Sequence, residues 1–100
     1  MSGRPALFPK PDKDIPALSQ RFAHGEHRAG PGVRVSWTRR APRTRADCDE
    51  CTALQHETHG TFWPRRQVRA RRRVNGTTLD LCPAHAAAWK DRDHDEGAIT

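Results

Sequence analysis

Cys48-Asp49-Glu50-Cys51, answered after thirty intervening residues by Cys82-Pro83-Ala84-His85, is the part of this 100-residue chain whose reading decides the fold. Each pair separates two soft or borderline ligands by two residues, a spacing that lets both reach one ion from a tight turn or a single helical turn. Three cysteines are an odd number for a disulfide framework, whereas three thiolates and one imidazole complete a common zinc set. We therefore expect Cys48, Cys51, Cys82 and His85 to bind one Zn²⁺. Four protein ligands close a tetrahedral sphere and leave no position for an activated water, so the ion is expected to be structural and the chain not to be an enzyme. Composition points the same way. Apolar residues make up 34% of the chain, and so small a core needs a metal, a disulfide or a partner to offset conformational entropy.

Between the pairs lies the clearest local signal. Gln67 to Val74, then Asn75-Gly76, then Thr77 to Cys82 reads as two strands joined by a type I′ turn. With Val74 and Thr77 flanking the turn, Arg73 faces Thr78, Arg72 faces Leu79, Arg71 faces Asp80 and Ala70 faces Leu81. Val68, Ala70, Val74, Leu79 and Leu81 then share an inner face. Arg72 falls on that face and is expected to snorkel to its edge. Arg69, Arg71 and Arg73 project from the other side, with Asp80 as partial neutralisation. After Cys82, Pro83 suits a first helical turn and the alanines that follow are strong helix formers, so a helix should run to about Asp93. Trp89 follows His85 by four residues, lands beside it and should be core.

Residues 1–45 hold most of the prolines and glycines and are expected to form a largely irregular basic arm. Within it, Asp14 could cap a short helix through about Ala23, and Val33 to Trp37 alternates like a short strand. Residues 46–93 are expected to be the zinc-binding domain and 94–100 an acidic, frayed tail. The apolar run Ala6-Leu7-Phe8 is cut off by Pro9, and nothing approaches the length of a membrane span, so a cytoplasmic protein with no membrane association is expected. Fifteen of the eighteen cationic residues are Arg, a bias suggesting a GC-rich bacterial or phage genome.

The order of a Cys-x-x-Cys knuckle, a hairpin and a helix opening with Cys-x-x-His resembles the treble-clef zinc fingers. The likeness covers about residues 46–93 and implies a small α+β zinc module with Cys48 and Cys51 as knuckle ligands and Cys82 and His85 as helix ligands. The chain departs from that pattern in carrying Thr52 where a glycine often follows the knuckle and in having two acidic inner residues. It is also similar to short Cys-x-x-Cys/Cys-x-x-His proteins of GC-rich bacteria and their mobile elements. A competing local site would use His56 and His59 with Cys48 and Cys51, at the cost of leaving Cys82 unexplained. A thioredoxin-like redox Cys-x-x-Cys needs an α/β scaffold that this chain is too short and too charged to build. The nucleases found on treble clefs place a general-base His on the hairpin, where this chain has Arg.

Net charge is +6, and residues 1–45 carry ten Lys/Arg against three Asp/Glu while residues 86–100 carry two against four. A second positive cluster spans Arg65 to Arg73. Clustering of this kind favours polyanions. Arg65, Arg66, Arg69, Arg71 and Arg73, helped by Arg39, Arg40, Arg43 and Arg45, are the expected contacts to nucleic acid, DNA or RNA, mainly at phosphates. Trp63 or Trp37 could stack on an unpaired base. Ala86 to Ala88 offer no base-reading groups, so sequence specificity is not expected. The alternative is a protein-binding adaptor that docks on an acidic partner such as transcription or mobile-element machinery. No small-molecule substrate is expected.

Overall fold

Asn75 and Gly76 both adopt positive φ, 50° and 85°, and this left-handed pair fits a type I′ turn, whose twist matches that of the strands it joins. In a computed structural model of the chain, which describes residues 17–41, 46–61 and 66–100, strands β2 (Ala70–Val74) and β3 (Thr77–Leu81) pair in the register expected, from Val74↔Thr77 to Ala70↔Leu81. Strand β1 (Ser36–Arg39) lies antiparallel on the other side of β2, with Trp37 opposite Arg72, completing a three-stranded sheet in the order β1-β2-β3. Helix α1 (Asp49–Glu57) precedes the hairpin, and helix α2 (Pro83–Asp95) follows it. Period-two alternation puts Trp37, Arg72, Leu79 and Leu81 on one sheet face, and α2 covers that face with Ala86 and Trp89. A smaller cluster of Ala29, Val35 and Val74 continues the core at the turn end, and Trp37 packs against both clusters.

Several expectations need correction. The segment expected as a knuckle is helical: Cys48 is the N-cap of α1, and Cys51 lies in its first turn. Residues 17–23 form no helix, and residues 14–16 lie outside the described residues. The strand expected from Val33 begins instead at Ser36, while Arg34 forms an isolated parallel bridge with Ile99. That bridge also corrects the tail. Ile99 N–H donates to the Val33 carbonyl at 2.8 Å and Val35 N–H to the Ile99 carbonyl at 2.7 Å, so residues 94–100 are bound to the body rather than frayed. Their direction is set by a Schellman turn at the end of α2. Gly97 at φ 80° donates to His94, and Ala98 N–H to the Asp93 carbonyl.

Arg72 does not snorkel. It is 1% exposed, and its guanidinium makes a bidentate pair with buried Asp93 at 2.9 and 2.7 Å, donates to the His27 carbonyl at 2.7 Å and stacks 4.2 Å from the Trp89 ring centroid. The distance to open water explains the difference. Flanked by β1 and β3 and roofed by α2, the side chain has no path outward, and Asp93, one turn beyond Trp89 on the same helix face, meets it inside.

Candidate metal centre

The two cysteine-bearing pairs are built alike. In each, a cysteine in extended conformation is the N-cap, at φ −61° for Cys48 and −75° for Cys82, and the second ligand sits three positions on, in the first helical turn. An N-terminus leaves backbone amides unpaired and presents the positive end of the helix dipole, an environment that favours thiolate over thiol. At Cys82 the sulfur itself caps the helix, accepting from the His85 N–H at 3.4 Å. β3 ends at Leu81 and delivers Cys82 directly to α2, whereas α1 is held at the side of the same strand by Asp49, whose carboxylate accepts the Asp80 N–H at 2.8 Å.

The four side chains converge. Cys48, Cys51, Cys82 and His85 are all buried, and their ligand atoms lie within 4.8 Å of one another. The Nδ1 atom of His85 stands 3.5, 3.5 and 3.4 Å from the Sγ atoms of Cys48, Cys51 and Cys82. One nitrogen with one lone pair or one proton can form only a single good hydrogen bond to a thiol, so three near-equal contacts need another cause. A cation at the centre provides one. With Zn–S near 2.3 Å and Zn–N near 2.0–2.1 Å in a tetrahedron, S···N separations of about 3.6 Å follow. The observed contacts are within about 0.2 Å of that figure, so the donor set fits a metal ion of this size and softness.

The imidazole is oriented for the task. His85 Nε2 lies 3.2 Å from the Ala17 carbonyl oxygen, which can only accept, so Nε2 carries the hydrogen and Nδ1 is left to face the sulfurs. Without a cation the protons must be shared unevenly. Hydrogen bonds from Cys51 and Cys82 push the Cys48 thiol well up, while those from Cys48 and Cys51 hold the Cys82 thiol far down. Burial pulls the His85 imidazole down, but its hydrogen bonds with Cys51 and Cys82 outweigh that and raise it to about 9. A divalent cation takes the place of these protons, and acid competes with it.

The two acidic residues inside the first pair are structural. Asp49 latches α1 to β3, and burial pushes its carboxyl up. Glu50 is fully buried beside the ligands and accepts the Ser19 N–H at 2.8 Å and the Trp89 Nε1–H at 2.6 Å, tying the N-terminal strap, α1 and α2 into one unit. These two roles, like those of Ala17 and Asp93, were missed from sequence. The acidic pair inside Cys-x-x-Cys was itself the signal, since a helix start welcomes carboxylates. His56 and His59 are exposed and stand apart from the cluster; His59, at φ 54°, belongs to the turn that ends α1.

Among the expected polyanion contacts, Arg66 and Arg73 are exposed and Arg69 and Arg71 half-buried on or beside β2. Arg65, Trp63, Arg43 and Arg45 lie outside the described residues. Arg71 makes a bidentate pair with Asp80 at 2.7 and 3.1 Å, and Arg40 approaches the same carboxylate at 4.0 Å. Among the described residues no helix is long and apolar enough to cross a membrane. No family model matches the chain, and neither the curated proteins nor the solved structures contain a match to it.

Proposed function

We propose that this chain is a structural-zinc module, treble-clef-like in its order of cysteine pair, hairpin and Cys-x-x-His helix, that binds nucleic acid through its phosphates. The ion is zinc on this reading because three thiolates and one imidazole in a closed, buried tetrahedron suit its softness and lack of geometric demand. When bound it holds the two helix starts together and, with four protein ligands, stays structural. The first pair opens a helix instead of a loop knuckle, which changes how the ligands are delivered but not which residues deliver them.

The observation that supports nucleic acid is the sheet face opposite α2. Alternation from buried Arg72 puts Arg71 and Arg73 on that face, with Arg69 beyond the strand end and Arg40 beside them. Among the described residues Asp80 pairs with Arg71 and lies near Arg40, and Asp49 adds a weaker attraction at Arg71. Arginines spaced along an extended strand present their charge as a row, which suits a phosphate backbone more than a single small anion. Phosphate contact is independent of base sequence.

The test is fluorescence anisotropy of the full, zinc-loaded protein on labelled nucleic acid over a salt series. If Arg69, Arg71 and Arg73 each neutralise one phosphate, the logarithmic slope for duplex DNA is about −2.7, and raising salt from about 50 to 200 mM weakens binding about fortyfold. Replacing the three arginines by alanine should abolish most of the affinity and flatten the slope. Unaltered binding by that variant removes the proposal. A partner retained from the native host after nuclease treatment, with no affinity for nucleic acid, would replace it with the protein-adaptor reading.

A further inference from the structure

Where β1 ends and β2 begins, the sheet and α2 leave an open hollow of about 170 Å³ lined by Trp37, Thr38, Arg39, Arg69, Ala70 and Lys90. Three of these six residues are cationic and none is acidic. The contrast with neighbouring cations is informative, since Arg71 already pairs with Asp80 across the open face and Arg72 with Asp93 inside the core. Arg69 instead donates to neutral acceptors, the Val68 carbonyl at 2.8 Å and Gln67 Oε1 at 3.1 Å. The Lys90 ammonium rests over the Trp37 ring, 5.0 Å from its centroid, a weak contact compared with a carboxylate or phosphate partner.

Size narrows the ligand. Pockets that hold a whole small molecule run to about 300–1,000 Å³, so this hollow suits a fragment of something larger. The fragment must be anionic for the three cations and carry a flat apolar part for the indole. Arg69 joins the hollow to the arginine face formed by Arg71 and Arg73, which makes the larger object the one that face binds.

We propose that the hollow seats one nucleotide of a single-stranded nucleic acid, its phosphate drawn by Arg39, Arg69 and Lys90 and its base laid against Trp37. The inference rests on the nucleic-acid reading above and adds to it a preference for unpaired strands. A base inside a duplex is already stacked on both sides and cannot reach the indole, whereas a single strand offers one freely. On binding, Lys90 exchanges the indole for the phosphate, a movement its flexible stem permits.

Anisotropy with the full, zinc-loaded chain decides the matter, using oligothymidine and oligouridine of about 12 nucleotides against a duplex of equal length at one salt concentration. Both single strands should bind more tightly than the duplex. Trp37→Leu should lower single-strand affinity about tenfold, within the range of one lost base stack, while Trp37→Phe retains most of it. Lys90→Gln, a surface change that leaves the core intact, should reduce the ratio of single-strand to duplex affinity several-fold. Equal affinity for the two forms, or a Lys90→Gln loss shared equally between them, would overturn the inference. So would a phosphoserine peptide of equal charge that competed as well as the oligonucleotide. Duplex binding that depends on Arg69, Arg71 and Arg73 without single-strand preference sinks this inference alone; no binding to any nucleic acid sinks the parent reading with it.

Discussion

Helices α1 and α2 follow one plan at their ends and different plans in between. Each begins with a cysteine N-cap and a second member of the Cys3His cluster one turn in, and each ends in a Schellman turn, closed for α1 by Gly60 N–H on the Gln55 carbonyl and for α2 by Ala98 N–H on the Asp93 carbonyl. The thirteen-residue α2 buries Ala86, Ala88, Trp89 and Asp93 against the sheet. The nine-residue α1 buries only Glu50, Cys51, Ala53 and Leu54 and is attached largely through polar groups: Asp49 to β3, Glu50 to Trp89 and Ser19, and Glu57 to the Gln20 and Arg21 amides. The difference shows what each depends on. Helix α2 has a core of its own beyond the Cys3His cluster, while α1 reaches the body through that cluster and a few carboxylates.

Removing the metal breaks the comparison most severely. Chelation at neutral pH, or Cys51→Ser, should remove on the order of 10 kcal/mol of folding free energy, with α1 lost at least as readily as α2 in amide hydrogen exchange. The next largest effect lies at the far end of α2. Asp93→Ala strands the Arg72 guanidinium in the core and should cost about 3–5 kcal/mol in denaturant unfolding, whereas Arg72→Met with Asp93→Leu should recover most of it. Glu50→Gln sharpens the contrast at α1: the amide nitrogen cannot accept, so one of the two N–H donors from Ser19 and Trp89 is left unpaired in the core, at a cost of about 1–3 kcal/mol.

Two smaller effects test the ends and the outer face. Gly97 occupies the left-handed position after α2, but His59 occupies its counterpart after α1, so His59→Gly should stabilise the protein by about 0.5–1 kcal/mol. The reverse change, Gly97→His, should destabilise it, since φ there is 80°, a conformation that strains any residue with a Cβ. The Arg71 side-chain hydrogen bonds hold the Asp80 carboxyl below its usual value. A depressed carboxyl stabilises the folded state above its unfolded pKa, and that contribution is lost as pH falls through the folded value, below about 4. For so open a pair the effect should be below about 1 kcal/mol and should vanish in Asp80→Asn.

What could be read in the sequence followed from strong local rules. The two positive-φ residues Asn75 and Gly76 set the hairpin register pair by pair, and Pro83 with the alanines marked α2. The convergence of Cys48, Cys51, Cys82 and His85 was legible because cysteine and histidine at this spacing have few other uses. Helix α1 was hidden because its cap is a cysteine in place of Ser, Asp or Asn and because few large apolar side chains mark its buried face. Arg72 was misjudged because its partner lies 21 residues away, although Asp93 shares the Trp89 face. The docking of Ile99 rests on backbone hydrogen bonds, which composition does not register. Gly97 was the available sign that the chain turns back there.

The central claim is that two helix starts share one ion through three sulfurs and one nitrogen. X-ray absorption at the zinc edge, on protein whose metal content has been measured, tests it most directly. The account predicts one zinc per chain, with three sulfur neighbours near 2.3 Å and one nitrogen near 2.0–2.1 Å. A spectrum with two sulfurs or fewer, or a metal-free protein whose amide spectrum is as well dispersed as that of the loaded form, would contradict it.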